Sequence, residues 1–134
     1  MVQFLELMIA SIAGFAVGGI WYSQAVFGKA WMSEMKINPK EIEKIDGKKM
    51  GISMILGFLR TIILAFVLIY FVELTGFKTM QEVLKLAFFI WIGFIATIML
   101  DSILWENKSR KLYFINVTQY FVMIMVMGAV IVWL

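Results

Sequence analysis

The sequence predicts an all-α integral membrane protein: a bundle of four transmembrane helices with a short interfacial or cytoplasmic helical loop between helices 1 and 2. Two observations support this fold class. Hydrophobic residues make up 63% of the 134 residues, against about 45–50% in soluble domains. Four apolar runs also reach the roughly 20 residues that a helix needs to cross a bilayer. A water-soluble core of this length cannot bury so much apolar surface, so lipid must be the solvent for much of it. We expect a single domain, 1–134.

The four apolar runs are predicted to be helices because backbone groups in lipid must form their hydrogen bonds within the segment. Their expected bounds are about 4–22, 50–72, 83–104 and 112–134. The first run has the position of a signal peptide, but it lacks a basic n-region and is longer than a typical h-region. We therefore interpret it as a retained helix.

The positions of lysine and arginine predict the orientation of the chain. Nine of these residues lie in the connections 23–49 and 105–111, whereas the connection 73–82 carries only Lys78. Cytoplasmic loops carry an excess of Lys and Arg. We therefore expect loops 23–49 and 105–111 in the cytoplasm, both termini outside, and the protein in the cell membrane (plasma or inner).

The first loop is predicted to contain two short helices. Asn38 is suited to cap the second of them, Pro39 fits its first position, and Gly47 is a plausible stop. The first would lie in the membrane interface with its apolar residues toward lipid, namely Phe27, Trp31, Met32 and Met35. A solvated, charged loop is the alternative interpretation.

A distinctive segment follows the first helix, and its characteristic residues are Trp21, Tyr22, Ser23, Phe27, Gly28, Lys29 and Trp31. One interpretation is an aromatic belt at the interface followed by a turn. The other is a cytoplasm-facing site for a lipid headgroup or small anion, built from Tyr22, Ser23 and Lys29.

The same segment carries a family resemblance that spans nearly the whole chain. The sequence resembles the small bacterial membrane family catalogued as domain of unknown function 1761, in segments 19–32, 93–97, 104–106, 111–116 and 127–129. The resemblance implies a four-helix membrane protein and no particular activity. Relatives usually have proline where this chain has Gln24, and often histidine near the position of Tyr120. Any proton chemistry of that histidine would be absent here.

Arg60 is the most informative single residue of the sequence. It lies ten residues, roughly 15 Å, into the second predicted helix and therefore near the bilayer midplane. Insertion scales assign a central arginine a cost of about 2.5–3.5 kcal/mol. We expect Arg60 to pair with Asp101, with Asn116 and Gln119 completing the network, either as a structural ion pair or as a charged step in a permeation or binding pathway.

The sequence also excludes several classes of site. It contains no cysteine and no histidine, which removes thiol and imidazole chemistry. It has no phosphate-binding glycine loop and no metal-ligand cluster. We expect no catalytic residue, cofactor, metal ion or nucleic-acid partner, and the sequence favours a protein that is not an enzyme.

The leading functional hypothesis is an oligomeric transporter or channel-like component that uses the network of Arg60 and Asp101. One protomer of four helices is too narrow for a sizeable pore, so membrane lipids and further copies of the chain are the expected partners. Ala10, Gly14 and Gly18 recur every four residues, a spacing that lets helix backbones approach closely. The alternatives are a structural or assembly protein and a protein that binds lipid headgroups.

Overall fold

The computed structural model describes residues 2–134, and over that range the chain is helical without strands. The helices are α1 (Phe4–Trp21), α2 (Gly28–Glu34), α3 (Pro39–Glu43), α4 (Gly47–Thr75), α5 (Met80–Leu104) and α6 (Arg110–Trp133). Helices α1, α4, α5 and α6 are long and apolar enough to cross a membrane. The predicted fold class is confirmed.

Capping interactions explain the bounds of the longest helix. The side chain of Asp46 accepts a hydrogen bond from the Lys48 amide at 3.3 Å, so α4 begins at Gly47. It ends at Thr75, and the next residue, Gly76, has a left-handed φ of 71°. The expectation that Gly47 ends the preceding helix is wrong, because the nearby Asp46 cap starts a new helix there.

The first loop folds tightly onto the end of α1. Asn38 caps α3 by accepting a hydrogen bond from the Lys40 amide at 3.0 Å, and Pro39 occupies the first helical position. Gly28, the first residue of α2, is buried, and a methyl group there would lie 2.5 Å from the Tyr22 carbonyl oxygen. Only glycine fits that approach without moving the backbone.

Helix α6 is the central element of the bundle. It packs against α1 on one side and α5 on the other, and α1 also packs against α4. The fully buried side chains of the core include Leu68, Ile69, Val83, Met123, Ile124 and Met127. Helices α4 and α5 are joined by a short turn but contact each other little, so the bundle is least closed between these two helices.

Helix α5 contains a π-helical segment, Trp91–Ala96. Such segments are rare and widen the helix locally. The hydroxyl of Tyr113 on α6 donates to the Ala96 carbonyl at 2.8 Å, and Thr97 donates to the Gly93 carbonyl at 2.6 Å. Carbonyl groups of the π-helical segment are therefore hydrogen-bonded both to α6 and to a side chain of α5 itself.

The small residues of α1 lie at its contact with α6. Ala10 and Gly14 are buried, and a methyl group at Gly14 would collide with Met127 and lie 3.3 Å from the Met123 Cγ. A methyl group at Gly18 would lie 3.4 Å from the Gln119 Nε2. Gly14 and Gly18 of this stripe therefore face α6 of the same chain.

We predict that Gly14→Val destabilises the protein by about 1–3 kcal/mol, because it adds volume to a packed contact. Gly19→Val is the matched control, since a Cβ at Gly19 has no neighbour within 4 Å. The measurement is the unfolding free energy of both variants in mixed detergent micelles. Equal stabilities of the two variants would contradict the close packing of α1 on α6.

Candidate functional site

A cavity of about 690 Å³ lies between α1, α4 and α6, at the end of the bundle where the first loop covers it. Its polar lining consists of Tyr22, Gln24, Arg60, Asn116, Gln119 and Tyr120. Apolar side chains, including Phe15, Trp31, Met32, Ile42, Met99 and Met123, complete the wall. Among the described residues that line this cavity, Arg60 is the only charged one.

Helical spacing brings the polar residues of α6 to the cavity. Asn116, Gln119, Tyr120 and Met123 are three or four positions apart, so they share one face of the helix. Arg60 reaches the same space from the middle of α4. The loop helices contribute the cover, so the site needs both the bundle and its first loop.

Arg60 is held by a tyrosine. Its Nη1 donates a hydrogen bond to the Tyr120 hydroxyl at 2.6 Å, and its guanidinium carbon lies 5.3 Å from the centre of the Tyr120 ring. A guanidinium at this distance is attracted by the quadrupole of the ring. Within residues 2–134, Arg60 forms no ion pair with Asp101.

The predicted pair of Arg60 and Asp101 is therefore wrong. Asp101 is exposed, and so are Gly93 and Thr97, which precede it at intervals of four on α5. This face of α5 points away from the bundle interior. Helical rise places Asp101 by its depth alone, whereas the rotation of α5 about its own axis is determined by its contacts with α6.

The amide side chains expected to complete the network do line the cavity. Asn116 accepts a hydrogen bond from the Tyr22 hydroxyl at its Oδ1, over 2.7 Å, and Gln119 is 98% buried beside Gly18. The structure thus places Arg60, Asn116 and Gln119 around one cavity. Tyr120 is the hydrogen-bond partner of Arg60, and Tyr22 is that of Asn116.

Hydrogen bonds from both flanking helices converge on three consecutive residues of α6. The indole N–H of Trp21 donates to the Ile115 carbonyl at 2.9 Å, and that of Trp91 donates to the Val117 carbonyl at 2.8 Å. Between them lies Asn116, the partner of Tyr22. These bonds set the register of α1 and α5 against α6 and hence the shape of the cavity.

Tyr22 acts as a donor at neutral pH. It follows the last residue of α1 and is partly buried. Burial raises the pKa of its hydroxyl to about 12; Tyr120 also raises this pKa, whereas Arg60 lowers it. The proton of Tyr22 therefore stays in place to hold Asn116.

The remaining residues of the signature segment form an aromatic corner. The rings of Trp21 and Phe27 lie 4.5 Å apart between centroids, and those of Tyr22 and Trp31 lie 5.8 Å apart. Ser23 donates to the Ile20 carbonyl at 2.7 Å and closes the turn. Of the residues proposed to bind a headgroup, Tyr22 lines the cavity, whereas Ser23 and the exposed Lys29 do not.

Sequence reasoning missed the role of Tyr120 at Arg60 and the hydrogen bond of Trp91. The expected partners of the guanidinium were a carboxylate and two amides, Asp101, Asn116 and Gln119. The available signal was the position of Tyr120, one residue after Gln119 and four after Asn116, which places it on the same helical face.

The described part of the chain, 2–134, contains no cluster of three or more His, Cys, Asp or Glu residues that could hold a metal ion. The polar chemistry of the cavity therefore rests on a guanidinium, phenol hydroxyls and amides. Such groups bind and orient a ligand through hydrogen bonds.

Comparison with known proteins identifies the family. The family model described as "Protein of unknown function (DUF1761)" matches residues 5–132, and the chain belongs to this family. The resemblance carried by the aromatic signature is thus confirmed. No curated protein and no solved structure matches the chain.

We predict that Tyr22→Phe lowers the free energy of unfolding by about 0.6 kcal/mol and by no more than about 1.7, the range of hydrogen bonds between membrane helices. The reason is that Asn116 loses its donor. Tyr70→Phe is the control, because Tyr70 lies on α4 with half of its surface exposed. Equal losses in unfolding experiments on the two variants in detergent would contradict this hydrogen bond.

Proposed function

We propose that this member of the DUF1761 family is a small membrane transporter component that binds the anionic group of its ligand in the cavity beside Arg60. One observation carries the proposal: the guanidinium borders a cavity whose other lining residues are uncharged. Its hydrogen-bond partner is a neutral phenol. Within residues 2–134, Arg60 has a neutral hydrogen-bond partner and no ion pair with Asp101, and an intramembrane charge of this kind supports a functional site.

The chemistry of the lining fits an anionic ligand. A guanidinium has five N–H donors in a planar fork, and the hydrogen bond to Tyr120 uses one of its nitrogens. The fork binds a carboxylate or phosphate through paired, charge-assisted hydrogen bonds. The amides of Gln24, Asn116 and Gln119 offer donors and acceptors to the uncharged parts of the ligand.

The size of the cavity limits the ligand to a small molecule. A volume of about 690 Å³ falls within the 300–1,000 Å³ of typical small-molecule sites. We propose that the covered end faces the cytoplasm, as the nine basic residues of the two loops suggest. An anion from the cytoplasm would then approach a positively charged surface.

Transport would involve more than one copy of the chain, since a single four-helix protomer is too narrow for a sizeable pore. Chemical crosslinking in native membranes tests it, and crosslinked products confined to the monomer would contradict it.

We predict that Arg60→Gln lowers the affinity for methyl phosphate or dodecyl phosphate at least about tenfold, since a hydrogen bond to a charged group contributes about 1.5–3 kcal/mol. Lys85→Gln is the matched control: it removes a cation from an exposed position of α5 outside the cavity. Binding is measured by native mass spectrometry of the protein in dodecyl maltoside micelles.

Flux supplies the second measurement. In liposomes, uptake of whichever phosphate ester binds should fall with Arg60→Gln and stay unchanged with Lys85→Gln. If neither ester binds the wild-type protein, or if both variants behave alike, the anion site is wrong. If binding depends on Arg60 but no flux occurs, the transport step is wrong.

A further inference from the structure

We infer that the anionic ligand is an amphiphile that enters sideways from the bilayer between α4 and α5 and lays its hydrocarbon chain in a groove beside Arg60. This inference rests on the proposed anion site and names the class of its ligand. It is carried by a second cavity and by the open side of the bundle.

The second cavity, which we call the α4–α5 groove, has a volume of about 340 Å³ and is lined by Arg60, Leu64, Phe94, Ile95, Ile98, Met99 and Tyr120. Apart from Arg60 and Tyr120, its lining is apolar. Arg60, Met99 and Tyr120 also line the larger polar cavity. The guanidinium therefore lies where a polar space meets an apolar one, the arrangement that the headgroup and the chain of an amphiphile require.

The groove opens toward the lipid. Helices α4 and α5 contact each other little, and Phe94 and Ile98 on the groove wall are each 65% exposed. Both helices are long and apolar enough to span the membrane, so side chains exposed at this level meet acyl chains. Arg60 is itself exposed, which makes it reachable from the side of the bundle.

The depth of Arg60 distinguishes this ligand from an ordinary surrounding lipid. Arg60 lies ten residues after Met50, where the apolar run of α4 begins, which corresponds to about 15 Å along the helix axis. A phospholipid of the leaflet keeps its headgroup at the interface, outside the hydrocarbon core of about 30 Å. An anionic headgroup at Arg60 has thus left the interface and entered the bundle.

Charge complementarity selects an anion over a neutral or cationic lipid. A cation that faces hydrocarbon is costly, and Tyr120 is a neutral partner. A phosphate, sulfate or carboxylate headgroup would neutralise Arg60 and accept a hydrogen bond from its fork. The polar remainder of the headgroup would extend toward Asn116 and Gln119 in the larger cavity.

The experiment compares methyl phosphate with dodecyl phosphate, which share a headgroup and differ in chain length. Native mass spectrometry in dodecyl maltoside micelles counts the retained ligand, and the micelle supplies an uncharged dodecyl competitor. We expect the wild-type protein to bind dodecyl phosphate at least about tenfold more tightly than methyl phosphate. We also expect Arg60→Gln to lower the affinity for both esters at least about tenfold, because they share the headgroup that contacts Arg60.

Variants of groove residues test where the hydrocarbon chain of the ligand lies. Ile98→Trp adds bulk to the groove and should lower dodecyl phosphate binding at least about fivefold while methyl phosphate binding stays unchanged. Ile63→Trp is the matched control, because Ile63 on α4 is also 65% exposed and lies outside the groove lining. Retained methyl phosphate binding in Ile98→Trp would show that this variant is folded; if wild-type methyl phosphate binding is too weak to measure, the unfolding midpoint serves instead.

The outcomes separate this inference from the proposed function. Equal affinity for the two esters, or equal dodecyl phosphate binding by Ile98→Trp and Ile63→Trp, would overturn the groove but leave an Arg60-dependent anion site intact. If Arg60→Gln binds both esters as tightly as the wild-type protein does, both proposals are wrong. A dimer that excludes dodecyl phosphate would show that a second copy, and not an amphiphile, covers the groove.

Discussion

The structure depends on the anchoring of α6 at residues 115–117, where side chains of α1, α5 and the first turn of the loop donate hydrogen bonds. In lipid, apolar contact between helices has no hydrophobic driving force, since acyl tails are as apolar as leucine. Close packing and hydrogen bonds therefore determine register. Because these bonds flank the cavity, the same contacts that hold the helices together also shape the site.

The position of Arg60 shows how such a scaffold can hold a charge without a carboxylate. Tyr120 offers a hydroxyl and a ring face to the guanidinium, and both interactions leave the net charge in place. A carboxylate partner would have neutralised Arg60 and closed the site to anions. The neutral partner is therefore the feature that connects the packing of the bundle with the proposed binding of an anion.

The π-helical segment of α5 is also held by hydrogen bonds to α6. It begins at Trp91, whose indole is bound to α6, and it ends at Ala96, whose carbonyl accepts from Tyr113. Phe94 and Ile95 of this segment line the α4–α5 groove. The irregular part of α5 thus borders the least closed side of the bundle, consistent with the association of such segments with functional sites.

The sequence by itself determined the four spans, the structured first loop and the family, because length, apolar composition and capping residues act locally along the chain. It also predicted that Arg60, Asn116 and Gln119 belong together, since helical rise gives their depth. Only the tertiary structure decided which face each helix turns inward. Depth is a property of one helix, whereas rotation depends on its neighbours: Asp101 lies at a suitable level but faces outward, and Tyr120 takes its place at the guanidinium.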